Sequence, residues 1–188
     1  MKNIDWNNVE ETKGFDKLPA GGYVCGITSV EDKPNKEYLY FEFDIAEGEY
    51  KNYYRDLYET KGFWGAHFIK SYKEKALGFF KKMLTAFESS NKGFKFDNDE
   101  KTLKRKYIGL VIGYEEYVGT DNKVKERITV VDFLPVDDIR AGRFTIPLLK
   151  KLSDDDFDRV ADNSASYSSN SSTADFEELG GADDDLPF

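Results

Sequence analysis

The side chains of this chain that could do chemistry are ones that bind rather than react. Lys123, Lys125 and Arg127 recur at every second position, and Lys51, Tyr53 and Arg55 repeat that spacing with an aromatic residue between two cations. At period two each set lies on one face of an extended strand. There, ammonium and guanidinium groups can meet phosphate oxygens, and a phenol ring can offer its face to a base. Tyr38 and Tyr40 are spaced in the same way. The ordinary explanations are a solvated or protected strand edge for the cations and packing under a neighbouring element for the tyrosines. Against them stands the aromatic content: 25 rings precede Ser153, more than one small core can use.

Reactive chemistry has little material. His67 is the only histidine and Cys25 the only cysteine, which leaves a zinc site or a Cys-His nucleophile pair almost nothing to be built from. Gly21-Gly22 and Gly180-Gly181 lack the rest of any phosphate-binding fingerprint. Asp137 and Asp138 follow Leu134-Pro135 in an expected surface turn without an identifiable third carboxylate. The expectation is a protein that is not an enzyme and uses no cofactor or metal.

The other binding element is the C-terminus, Asp183-Asp184-Asp185-Leu186-Pro187-Phe188. A phenyl ring beside a terminal carboxylate can enter an apolar pocket with a basic rim while the aspartates steer the encounter. The net charge of −9 is unevenly spread. From Ser153 onward eleven carboxylates face one cation, Arg159, a net of −10, whereas the rest of the chain carries +1. A near-neutral body can still attract phosphate despite a low overall pI. Residues 163–173 are nearly all Ser, Asn, Ala and Thr, too poor in large apolar groups to offset the entropy of ordering them. The expected organisation is an N-terminal extension at 1–18, one folded domain at 19–152, a disordered acidic Ser-rich linker at 153–182 and a docking tip at 183–188. No stretch approaches the roughly 20 apolar residues of a membrane span, and the start is not signal-like, so a cytoplasmic protein without a membrane partner is expected.

These groups need strands to hold them. Pro19 to Gly22 reads as a turn and Tyr23 to Val30 as a first strand. In Tyr38 to Ile45 the apolar Leu39, Phe41, Phe43 and Ile45 alternate with Tyr38, Tyr40, Glu42 and Asp44. Tyr50 to Tyr58 reads as a third strand, which would carry Lys51, Tyr53 and Arg55. Between about Ala66 and Ser89, Ile69, Tyr72, Ala76, Phe80, Met83 and Phe87 recur at steps of three and four and predict one amphipathic helix. Tyr107 to Tyr117 and Lys123 to Leu134 are two further strands, and Gly109 and Gly113 are placed where a base could approach the backbone or where a bulge occurs. The fold class is mainly β (α+β): a five-stranded OB-fold barrel with a helix between strands three and four and a disordered acidic tail. The OB-fold is a partly open Greek-key barrel that binds oligonucleotides on one face and its loops.

The Asp183-to-Phe188 tip resembles the C-terminal peptide of bacterial single-stranded-DNA-binding proteins. Pro19-Ala-Gly-Gly-Tyr23 and the run from Lys123 to Pro135 resemble the single-stranded-DNA-binding proteins of phages and mobile elements. The resemblance implies sequence-independent binding of single-stranded DNA during replication, recombination and repair, and recruitment of host or phage replication and repair proteins through Asp183, Asp184, Asp185, Leu186, Pro187 and Phe188. It implies DNA contacts at Tyr38, Tyr40, Lys51, Tyr53, Arg55, Lys123, Lys125 and Arg127, and leaves self-association into a homo-oligomer open. Two alternatives are an OB-fold adaptor whose outward aromatics meet protein, and an RNA-binding or RNA-chaperone barrel.

Overall fold

Alternation in the second strand does what period two dictates. The computed structural model describes residues 17–62, 64–119, 121 and 123–153. In it Tyr38–Ile45 is a strand, β2, that buries Leu39, Phe41, Phe43 and Ile45 and leaves Tyr38, Tyr40, Glu42 and Asp44 half-exposed. It lies between β1 (Gly21–Lys33) and β3 (His67–Ser71), and on the far side of β1 come β4 (Tyr107–Val118) and β5 (Val124–Leu134). All neighbours are antiparallel, in the order β3-β2-β1-β4-β5. Three helices complete the described chain: α1 (Tyr53–Lys61), α2 (Leu77–Ser90) and α3 (Val136–Arg140). The Ser-rich linker, the Asp183-to-Phe188 tip and most of the N-terminal extension lie outside the described residues.

No backbone ladder joins β3 to β5 among the described residues. The rings of Phe68 on β3 and Phe133 on β5 nevertheless stand 5.2 Å apart, so the sheet curls until side chains of its two edge strands touch. Two bulges sharpen the curl, one between Ile27 and Ser29 and one opposite Val111 and Ile112. The second leaves Val131 unpaired and reverses the phase of β5: Ile128 and Val130 pack on the core, and so does Phe133 three residues later.

The core fills the concave side. Phe80, Met83, Leu84 and Phe87 of α2 are buried against it, with Phe41 stacked on Phe68 at 4.6 Å and on Phe87 at 6.3 Å. Leu18 is buried here too, and the Tyr114 hydroxyl donates to its carbonyl at 2.5 Å. A smaller cluster forms on the opposite side of β1 and β4, where Val24 and Val111 meet Val136 and Ile139 of α3. Among the described residues, no helix is long and apolar enough to cross a membrane.

Two element assignments are corrected. Residues 50 to 58 are not a strand: Asn52 sits in the left-handed region at φ 65°, and α1 follows. The Asp44 carboxylate explains why. It accepts from the backbone N–H of Tyr54 at 3.1 Å and of Arg55 at 3.3 Å, satisfying donors that the first helical turn leaves open. Tyr54 then enters the core edge-on to Phe43. The long helix expected from Ala66 is likewise two elements. Ala66 and Phe68 are buried while His67 and Ile69 are exposed, a period of two that docks 67–71 on β2 as the third strand, and helix begins only at Leu77.

Candidate nucleic-acid interface

Cross-strand partners share a face, and the register therefore assembles one surface on the convex side of β1, β2 and β3. Tyr40 lies between Glu31 on β1 and Ile69 on β3, and Tyr38 lies between Lys33 and Ser71. One pair along, Glu42 faces His67. The imidazole of His67 stacks on the Tyr40 ring, 5.2 Å between centroids with planes 23° apart, so the tyrosine already receives a flat heterocycle. Ile69 beside it is 39% exposed. Tyr38 and Tyr40 thus stand where the alternation puts them. His67 and Ile69 complete the face, and the signal for them was the alternation Ala66, His67, Phe68, Ile69.

The charge of this face is mixed. Lys33 is paired with Glu31, and Glu42 adds a second carboxylate. Asp44 is taken up by α1. Burial raises the pKa of its carboxyl above the ordinary range, while the N–H groups of Ile45, Tyr54 and Arg55 oppose that rise by stabilising the anion.

The second set lies on the β4–β5 hairpin. Lys125 is opposite Tyr117 and Arg127 opposite Glu115, so the two cations share a face as the spacing predicts. Arg127 sits over the Tyr117 ring, 5.2 Å from its centroid, and its Nε donates to Glu115 at 2.8 Å. Lys150 reaches the same carboxylate at 3.4 Å. Lys123 precedes β5, with its ammonium 4.0 Å and that of Lys125 3.7 Å from Asp121. The row is therefore cations over an aromatic residue with carboxylates interleaved. A phosphate arriving here exchanges one anionic partner for another rather than meeting naked charge.

Lys51, Tyr53 and Arg55 do not form a row, because they are not on a strand. Lys51 is exposed in the turn before α1, and successive odd positions of the helix point about 200° apart. Tyr53 packs edge-on to Tyr50 and Tyr54 at the border of the core, and Arg55 is 3.7 Å from Asp56. The glycines of β4 are covered as well. A Cβ on Gly109 would come within 2.5 Å of Ile139 and 2.7 Å of the Leu134 carbonyl oxygen, and one on Gly113 within 2.8 Å of Pro147. They admit α3 and the segment after it, not a base.

Among the described residues, no three His, Cys, Asp or Glu side chains group as metal ligands. In comparison with known proteins, no family model matches the chain and no curated protein matches its sequence.

Proposed function

We propose that this protein binds single-stranded DNA without sequence choice, coats exposed strands during replication, recombination and repair, and is built as an OB-type barrel. The observation that carries the reading is the flat stack of His67 on Tyr40 within an outward aromatic face. Single strands are held by rings that accept base faces and cations that follow the backbone, each stack contributing roughly 1 to 3 kcal/mol. The Lys125–Arg127 row over Tyr117 supplies cations of the second kind. The barrel reading rests on the order β3-β2-β1-β4-β5 and on Phe68 meeting Phe133 across the open edge, which is how a partly open five-stranded barrel is arranged. Recruitment of replication and repair proteins through Asp183 to Phe188 rests on the sequence of that tip.

Fluorescence anisotropy of labelled oligo-dT across a salt series tests the reading. Log affinity should fall linearly with log salt, with a slope near −0.7 per phosphate contacted. Absence of saturable binding, or binding indifferent to salt, overturns it. Glu31 and Glu42 on the aromatic face favour one rival, an adaptor whose tyrosines meet protein, since carboxylates repel a polyanion. An adaptor gives no response to oligo-dT, whereas an RNA-binding barrel gives one that oligo-U competes away.

A further inference from the structure

The aromatic face carries carboxylates at Glu31 and Glu42, so a strand lying on it must find cations for its phosphates elsewhere. One supply follows from β3 being an edge strand. His67 and Ile69 point to the convex side, while Lys70, between Ile69 and Ser71, points to the other. Its ammonium stands 4.7 Å from the ring centre of Phe133 on β5 and 5.5 Å from that of Phe79 on α2. Three elements meet at this point, and the ring of Phe79 is 68% exposed. The core does not use it: the buried stripe of α2 is Phe80, Met83, Leu84, Ala86 and Phe87.

The cations beside the ring are Lys70 and, one helical turn on from Phe79, Lys82. Lys81 and Lys82 stand on the rim of a groove of about 370 Å³ floored by Phe133, Leu134 and Pro135, and Asp132, paired with Lys82, is the carboxylate beside them. Burial lowers the pKa of Lys70, and Lys82 lowers it further against the opposing effect of Asp132. Its ammonium is thus a cation that an arriving anion would stabilise.

We propose that the junction of β3, α2 and β5 is a second contact surface for the same single strand of DNA, with Phe79 stacking a base and Lys70 and Lys82 meeting phosphates. This inference rests on the function proposed above. A strand bound over Tyr40 and His67 reaches the junction by crossing the free edge of β3, a step of one residue in the protein. An exposed ring with cations at its side matches the alternation of base and phosphate along a single strand.

The test uses the full chain and two labelled oligo-dT probes, of about 5 and about 15 nucleotides, within the range of site sizes seen for such barrels. The short probe should bind the wild type and Phe79→Ala alike. The long probe should bind Phe79→Ala about five- to a hundredfold more weakly than wild type, the loss of one stacked base. Phe79→Leu, which keeps apolar bulk without a flat face, should lose a similar factor. Lys70→Gln with Lys82→Gln should make the salt slope for the long probe shallower by about 1.4, or 0.7 for each phosphate contact removed. Thermal melting should match wild type for every variant. If the wild type binds neither probe, the proposed function itself fails. If it binds both and Phe79→Ala holds the long probe as tightly, the function stands and this surface is overturned. Full binding by Phe79→Leu overturns stacking, and capture of an Asp-rich peptide that depends on Phe79 while the long probe is unaffected assigns the junction to an acidic protein partner instead.

Discussion

Glu115 is the residue on which the part proposed for the hairpin in DNA binding turns. Its carboxylate, largely shielded, accepts from Arg127 and lies beside Lys150, so both cations are held in place and partly neutralised. Replacing it by Gln keeps the shape and removes the competing charge. Glu115→Gln should tighten oligo-dT binding by about two- to fivefold at low salt, the scale of one exposed ion pair, and steepen the salt slope. Arg127→Ala should do the reverse and make the slope shallower by about 0.7. If Glu115→Gln changes neither affinity nor slope, Arg127 meets no phosphate. The tyrosines make a separate claim. Tyr38→Ala with Tyr40→Ala should weaken binding by about 1 to 3 kcal/mol for each stack lost without unfolding the protein, because the opposite face of β2 alone carries the core residues. A double variant that melts far below wild type would place the pair in the fold rather than in the interface.

At the scale of elements, the same sequence rules succeed or fail for physical reasons. The second, fourth and fifth strands were legible because one side of each meets the core, and the C-terminal half of the expected helix because Phe80, Met83 and Phe87 keep a helical step. The region 50 to 58 was not, since Tyr50, Tyr54 and Leu57 suit a helix as well as a strand, and the deciding group is remote: Asp44, ten residues before Tyr54, caps α1. Asp44→Ala should cost about 1 to 2 kcal/mol, as loss of a helix cap does, read as a lower denaturation midpoint. Of the candidate site, Tyr38, Tyr40, Lys125 and Arg127 were placed by alternation alone. The cover over Gly109 and Gly113 was not, because it comes from Ile139 and Pro147 far along the chain. Gly109→Ala should therefore destabilise by about 1 to 3 kcal/mol through overpacking, with oligo-dT affinity unchanged in the fraction that folds. Weakened DNA binding at full stability would reinstate the open-face reading.

A pH dependence belongs to the same scale, because Arg140 of α3 reaches back to the end of β2. Its guanidinium donates to both carboxylate oxygens of Glu47, at 2.6 and 3.0 Å. The hydrogen bond from Arg140 holds Glu47 below its ordinary pKa. A carboxyl depressed in the folded state contributes stability above its unfolded pKa and loses it as pH falls through the folded one. Arg140→Ala should thus lower the melting temperature at neutral pH, and the gap from wild type should close in acid below the ordinary carboxylate range. A gap that persists at low pH means that Arg140 acts through packing instead.

For the whole molecule the proposed function raises the question of how a protein of net charge −9 would bind a polyanion, and the distribution of the charge answers it. Ending the chain at Leu152 removes a net of −10 and leaves +1. Oligo-dT binding should then tighten at low salt, where charges act over about 10 Å at 0.1 M, and the gain should vanish near 1 M, where that length is about 3 Å. Charge and docking are separable in the same tail. Phe188→Ala leaves every side-chain charge in place, so DNA affinity should match wild type at all salt concentrations. What it removes is the aromatic ring beside the aspartates, the group that an apolar pocket with a basic rim would hold. Capture of replication and repair proteins should fall with this one substitution as far as it falls on truncation. Equal capture by wild type and Phe188→Ala, with loss only on truncation, would reduce the tail to its charge.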